Sequence, residues 1–433
     1  MDRGTEKARL ILPEGKDIGL DVLTDNMGKK SIDIEGLRAS TGYITYDPGF
    51  MNTGSCMSSI CYIDGEQGVL RYRGYDIEDL VDNCDFIEVA HLLVKGVLPN
   101  LAERKNYQEL LNKHSMLHYN MRNFFRSYPQ DAHPMSILAS MVASLSAFYP
   151  EMDERDPEEN IDLTVTRMLS KMRTIAAFIY RQSNGYDFVE PRWEYSYCEN
   201  FLNMMFRTPV NNYHPDPAHV DILNKLLILH GDHEQNCSTT AVRLVGSSEA
   251  NLYASVAAGV CALWGPKHGG ANQAVMAMLK NIVDNDIPVE KVIEMAKDKN
   301  NPFKLSGFGH RVYKTLDPRA KIAKKMNLKM LNSEHHDDKL LEVALKLEEK
   351  ALSDDYFIER HLYPNIDFYT GIMFHMMGFP QQMFTVLFAM GRTPGWIAHW
   401  LEWRHDIYQK LGRPRQVYVG PQGRTVIPIA DRP

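Results

Sequence analysis

From about Ile77 onward, apolar residues recur with the 3.6-residue period of a buried helix face. Between residues 86 and 94 the apolar positions are Phe86, Ile87, Val89, Ala90, Leu92, Leu93 and Val94. That spacing is helical but apolar nearly all round, which places the helix inside a large core. The segments 134–149, 160–182, 218–230, 250–263, 271–283 and 337–352 also predict helices. The first 65 residues differ. Short apolar runs (Leu10 to Leu12, Tyr43 to Tyr46, Ser59 to Ile63) alternate with Gly, Pro, Asp and Asn clusters and read as strands and turns. Strand signals are scarce after residue 70, so the expected fold is mainly α with a small β-rich N-terminal segment. The acidic stretch 151–160 reads as a loop, and Lys321, Lys324, Lys325 and Lys329 as the solvated face of a helix.

One run needs a membrane check. Between Asp367 and Glu402 the only formal charge in 34 residues is Arg392. Gly378, Pro380, Gln381 and Gln382 interrupt it, and each half is too short to span the ~30 Å of a bilayer core. Two buried helices are expected. The 433 residues leave room for two or three packed units, and 44% apolar with 24% charged residues is ordinary globular composition. Lys plus Arg (48) against Asp plus Glu (55) leaves a net charge of −7. That balance excludes a general nucleic-acid binder but says nothing against small anionic ligands, which answer to local charge. None of the six cysteines forms a C-x-x-C pair and the N-terminus is polar, so reduced, buried thiols in a cytoplasmic protein are expected.

Several groups could carry chemistry. His230 and His233 close a helical run, where spacing i and i+3 would put both on one face. With Asp232 beside them they suggest a metal site, core histidines, or donors to an anionic substrate. His268, followed by Gly269 and Gly270, precedes a helix whose N-terminus favours developing negative charge and a neutral imidazole. The two glycines would let a ligand approach the backbone. His310 ends a Gly-flanked loop. Asp317 and Pro318 then supply a helix cap and first position, leaving Arg319 in a first turn where a cation opposes the dipole. Arg319 therefore needs an anionic partner, from a substrate or from a nearby Asp or Glu. Asn365 can cap the next helix, with Asp367 in its first turn kept ionised by the dipole. Arg392 sits in an apolar setting and must find a carboxylate, from the protein or from a substrate. Arg413 and Arg415 add charge near the C-terminus. The set suits anionic substrates and general acid–base steps. No nucleophile elbow, Walker loop or dinucleotide fingerprint accompanies it.

The motifs LHGDHEQN (229–236), GPKHGGANQAV (265–275), GFGHRVYKTLDPRA (307–320), YPNIDFYTG (363–371), MGRTPGWIAHW (390–400) and RPRQVYVG (413–420), with TYDPGF (45–50), resemble those of the citrate synthases. The resemblance spans essentially the whole chain, and the β-rich N-terminal segment is similar to the hexameric bacterial type. It implies a two-domain helical fold: a β-rich segment over 1–65, a large domain over 66–271 and 381–433, and a small closing domain over 272–380. It also implies condensation of acetyl-CoA with oxaloacetate and hydrolysis of citryl-CoA, with no metal or redox cofactor. By motif, Asp367 would be the base, His268 the donor to the thioester oxygen and His310 the donor to the oxaloacetate carbonyl. His233, Arg319 and Arg392 would hold oxaloacetate, with Arg413 reaching in from a neighbouring subunit. Leu305, Gly307, Phe308 and Gly309 would receive the CoA adenine, and Lys314 would lie near a CoA phosphate. A homodimer is the implied minimal unit, and a homohexamer the implied assembly. Tyr149, Arg167 and Lys171 match the pattern of an allosteric NADH site, whereas Lys113, Trp193 and Val210 depart from it. The alternative activity on the same machinery is 2-methylcitrate synthesis from propionyl-CoA, because one methylene changes binding by only about 1–3 kcal/mol.

Overall fold

The computed structural model describes residues 3–13, 15–150, 158–310, 312–333 and 339–432. The chain falls into two units, residues 1–57 with 412–433, and residues 58–411. In the first, strands β1 (Arg3–Ile11), β2 (Asp17–Thr24) and β3 (Lys30–Ile32) form an antiparallel sheet in chain order. Leu10 faces Ile18 across the first pair, and an Arg9–Asp17 ion pair lies beside it. A short helix α1 (Leu37–Thr41) follows and ends at Gly42, whose φ of +80° only glycine adopts without strain. The run Tyr43 to Tyr46 is not the expected strand. It joins neither sheet and leaves Tyr43, Ile44 and Tyr46 exposed. Alternation cannot make a strand without an edge to pair with.

The second unit opens with a small antiparallel sheet of β4 (Cys61–Asp64), β5 (Val69–Tyr72) and β6 (Tyr75–Asp76). Helices then dominate: α2 (Ile77–Asn83), α3 (Phe86–Lys95), α4 (Leu101–Lys113), α5 (Tyr119–Ser127), α6 (Pro134–Phe148) and α7 (Glu158–Ser183). They continue with α8 (Tyr197–Phe206), α9 (Pro217–Leu229), α10 (Cys237–Gly246), α11 (Leu252–Leu263), α12 (Ala271–Asp284) and α13 (Val289–Lys297). The last are α14 (Pro318–Ser333), α15 (Lys339–Leu352), α16 (Asp355–Glu359), α17 (Ile366–Met376) and α18 (Phe384–His405). Periodicity placed the ends of the expected helices within two residues because their caps are written locally. Capping boxes start α3 (Asp85 with Glu88), α4 (Asn100 with Glu103) and α8 (Ser196 with Glu199). Most of the expected loop at 151–160 lies outside the described residues, and its last three residues open α7.

The weakly charged run divides as expected into α17 and α18, broken at Gly378 and a 3₁₀ turn over Gln381–Met383. No described helix is long and apolar enough to cross a membrane. The six cysteines carry no disulfide, but they are not uniformly buried: Cys198 is, whereas Cys237 and Cys261 are exposed.

Helix α18 is buried continuously from Phe384 to Trp400. Gly391 and Gly395, four residues apart, share one of its faces. A Cβ at Gly391 would lie 2.9 Å from His230 Cβ, and one at Gly395 only 2.3 Å from the Gly231 carbonyl and 2.6 Å from Asp232 Oδ1. The turn that follows α9 therefore rests directly on the α18 backbone. Gly395→Ala should destabilise the fold by about 1–3 kcal/mol, the usual cost of overpacking, or more if the turn cannot shift. Denaturant unfolding of the variant against the parent measures this.

Candidate active site

A two-stranded clip positions the first group of side chains. Gly309 N–H donates to the Tyr363 carbonyl (2.8 Å), Asn365 N–H to the Gly307 carbonyl (2.8 Å), and Asn365 Nδ2 to the Gly309 carbonyl (2.9 Å). Phe308 bridges Pro364 between them. Gly307 must be glycine here, since its φ is +82° and a Cβ would sit 2.6 Å from Val275 Cγ2. The clip fixes His310, just after the loop, relative to α17, where Asn365 Oδ1 caps Asp367 N–H at 3.0 Å. His310 Nδ1 accepts from the backbone N–H groups of Val312 (3.0 Å) and Tyr313 (3.3 Å), which assigns its proton to Nε2. That Nε2 lies 3.5 Å from Arg319 Nη2. Arg319 is itself held bidentately by Asp317, through Nε (3.1 Å) and Nη2 (2.8 Å).

The second group hangs on α18. Arg392 is 1% exposed and donates through Nε to the His230 carbonyl at 2.7 Å. Its guanidinium lies 5.0 Å from the centre of the Phe388 ring, whose other neighbours are the rings of His230 (4.5 Å) and His268 (6.3 Å). One turn on, Trp396 Nε1 donates to Ser238 Oγ (3.2 Å), and Ser238 grips His268 Nε2 through Oγ (2.9 Å) and backbone N–H (3.3 Å). A backbone N–H can only donate, which assigns the lone pair to Nε2 and the His268 proton to Nδ1. His233 joins the groups: its ring lies 5.5 Å from His310, and its Nε2 lies 3.3 Å from the Tyr313 hydroxyl.

Electrostatics divide the roles. Burial, aided by Arg319, lowers His310 to about 4. Burial holds His233 well below its ordinary value, with Arg319, His310 and Arg392 adding to the effect. These imidazoles are neutral donors at neutral pH. Asp367 moves the other way: burial raises it to about 6, against the pull of the Arg319 cation. The expectation that a helix dipole keeps this carboxylate strongly ionised is thus corrected. Desolvation outweighs the dipole and brings the group close to the pH at which a base works well. Asp367 Oδ1 is buried with no hydrogen-bond partner among the described residues. Arg392 Nη1 is in the same condition, and Arg392 has no ion pair among the described residues. Burial lowers its pKa, opposed first by the Asp232 charge.

Residues 49–415 match the family model described as citrate synthase, C-terminal domain. The chain is 49% identical over 430 residues to citrate synthase 1 of Mycobacterium tuberculosis, covering 99% of each chain. It superimposes on the citrate synthase of Pyrobaculum aerophilum with a TM-score of 0.82 at 36% identity, covering 95% of this chain and 97% of that one. The Thermoplasma acidophilum citrate synthase, solved as a ternary complex with carboxymethyl coenzyme A and oxaloacetate, gives a TM-score of 0.81 at 32% identity over 90% of this chain and 100% of that one. The chain belongs to the citrate synthase family. It is therefore an enzyme, an acyltransferase, with the mainly helical citrate synthase fold.

Most of the side chains that the citrate synthase motifs single out converge. His233, His310, Arg319 and Asp367 share one electrostatic environment with Arg392, and His268 faces the same Phe388 ring. Leu305 is partly buried beside the clip, and Gly307, Phe308 and Gly309 form it; the Phe308 ring meets Phe368 edge-on at 5.1 Å. Lys314 is exposed and paired with Glu66. Arg413 belongs to the other unit, where it is exposed.

Two local readings change, and one that was open is decided. His230 and His233 do not share a helix face, because α9 stops at Leu229 and His230 caps it. The His230 Nδ1 turns back to the Leu226 carbonyl (2.7 Å), while His233 faces Tyr313. Gly269 makes room for protein rather than ligand, since a Cβ there would lie 2.5 Å from the Leu263 carbonyl. Of the two partners left open for Arg319, a substrate or a nearby carboxylate, the structure shows a nearby one: Asp317, which also caps α14. Ser238, Tyr313, Phe388 and Trp396 were not singled out. Their only sequence signal is proximity to a motif histidine or arginine, which does not say which side chain turns inward.

The carboxylate form of Asp367 exists above about 6, while His310 at about 4 and His230 at about 3 do not titrate near neutrality. Turnover of the enzyme should therefore fall along a single acid limb as pH drops through about 6. A pH profile of kcat/KM checks this, and a limb near the ordinary aspartate value would remove Asp367 as the buried base.

Proposed function

We propose that this enzyme condenses acetyl-CoA with oxaloacetate and hydrolyses the resulting thioester to citrate and CoA, the entry reaction of the tricarboxylic acid cycle. The observation that carries the reading is Arg392: a guanidinium buried to 1% exposure, with one nitrogen unpartnered and no carboxylate of its own among the described residues. A buried cation in this state costs several kcal/mol unless an anion arrives. A planar carboxylate fits its fork. Arg319 and His233 complete a site for a dicarboxylate, and the two cations polarise the ketone between its carboxyl groups. His310 Nε2–H is positioned to donate to that ketone oxygen.

Asp367 removes a proton from the acetyl methyl group. A carboxylate of this basicity needs help, and His268 supplies it by donating its Nδ1 proton to the thioester oxygen as negative charge forms. A neutral imidazole does this without becoming a competing acid. Each proton step of the condensation is assigned to a named side chain, so we propose that neither a metal nor a redox cofactor is needed. The clip from Leu305 to Gly309 receives the CoA adenine through backbone groups. Lys314 exchanges Glu66 for a CoA phosphate, and Arg413 of a neighbouring copy adds to the oxaloacetate site. The exposed apolar side chains of Val417, Tyr418, Val419, Val426 and Ile429 support a homodimer as the minimal unit, assembling to a hexamer, and we propose the cytoplasm as its compartment. Any allosteric inhibition by NADH belongs to the cluster in which Arg167 and Lys171 lie over the Tyr149 ring.

Thiol release from acetyl-CoA should depend on oxaloacetate and persist in chelator. No release by folded protein would end this reading, and a higher kcat/KM with propionyl-CoA would replace it by methylcitrate synthesis. Arg392→Met should lose about 2–5 kcal/mol of oxaloacetate binding. The same change removes an unpaired buried charge, so thermal unfolding should show no loss of Tm.

A further inference from the structure

Behind Arg392, α18 carries buried polar groups that the roles above leave unused. Gly391, Gly395 and His399 recur every four residues and form one stripe of the helix. The two glycines seat the turn from His230 to Asp232, and one turn further His399 Nε2 reaches Asp232 Oδ2 at 3.2 Å. On the other side of the ring, Arg243 Nη1 lies 3.2 Å from Nδ1. A guanidinium can only donate, so Nδ1 accepts and Nε2–H donates to Asp232. Arg243 also donates to Glu402 Oε2 (3.0 Å), whose other oxygen accepts from Ser59 N–H (2.8 Å). A hydrogen-bonded chain thus runs from Ser59 through Glu402, Arg243 and His399 to Asp232.

The far end of this chain is costly. Asp232 is fully buried, its Oδ1 has no hydrogen-bond partner among the described residues, and its Oδ2 rests against the His399 ring. A well-packed apolar pair would serve stability as well or better. What Asp232 faces is the turn that makes the site. The His230 carbonyl accepts from Arg392 Nε, and Asp232 Oδ2 accepts from Glu234 N–H at 3.2 Å. Glu234 adopts φ +49°, a strained value for a non-glycine residue, with its Oε1 tied to Ile63 N–H at 2.9 Å. Between these two anchors lies His233.

We propose that His399 is a positioning residue for oxaloacetate capture: by holding the Asp232 carboxylate against the 230–234 turn, it sets the aim of Arg392 and His233 together. The proposal rests on the oxaloacetate site assigned above. A glutamine at 399 carries the same donor and acceptor, whereas leucine fills the space and carries neither.

Steady-state kinetics of His399→Leu and His399→Gln, run beside the parent, test this. The leucine variant should raise the KM for oxaloacetate at least ~10-fold, as misplaced binding groups do, and leave that for acetyl-CoA within about 2-fold. Glutamine should restore the oxaloacetate KM to within about 3-fold of the parent. Should the leucine variant not fold, His399→Asn, too short to reach both Asp232 and Arg243, carries the same expectation. An unchanged oxaloacetate KM, an equal rise for both substrates, or a glutamine variant as impaired as leucine would overturn the positioning role. A parent with no oxaloacetate-dependent CoA release would overturn the assigned reaction as well, so the two failures are told apart.

Discussion

A positive charge buried without a carboxylate of its own among the described residues organises the second unit. Arg392 sits in the middle of a continuously buried helix, where desolvation works against its charge. The surroundings soften that penalty without cancelling it: a backbone carbonyl takes one N–H, an aromatic face lies against the guanidinium, and Asp232 opposes it at longer range. Complete neutralisation would stabilise the protein and leave no free cation for the dicarboxylate of the proposed reaction. The contrast with Arg319, held on two sides by Asp317, is instructive. Of the two cations that share this environment, one is anchored by a carboxylate and the other, among the described residues, is not.

The same low-dielectric setting suits the histidines and the aspartate to the donor and base roles proposed for them. Burial and neighbouring arginines hold His233 and His310 neutral, and backbone N–H groups select which nitrogen of His310 and His268 keeps the proton. Burial raises Asp367 toward neutrality, which strengthens it as a base while Arg319 keeps the shift moderate. One physical cause, removal of water, therefore sets both halves of the acid–base pair.

Much of this was legible in the chain. Helix caps such as Asp85 and Asn100 act over three or four residues, so periodicity and capping signals located the helices closely. Lone charges in apolar runs pointed to Arg392, and a cation misplaced in a first turn pointed to Arg319. What failed were inferences that needed a neighbour from elsewhere. Tyr43 to Tyr46 had strand-like composition and no edge to join. Gly269 faces Leu263 rather than a ligand. The ionisation of Asp367 could not be read from its helix position, because depth of burial is a property of the packed molecule.

The sequence by itself determined the family, through long motifs in order, and with it the residue types at the site and the helical class. These depend on local chemistry and on the order of residues along one chain. The tertiary structure decided which of those residues are charged, which tautomers they hold and which partners they have. Arg392 lies 162 residues from the carbonyl that aims it, and Asp232 lies 167 from the histidine that holds it. Such pairs are made by the close approach of α18 to the turn after α9, and that approach exists only once Gly391 and Gly395 have been packed.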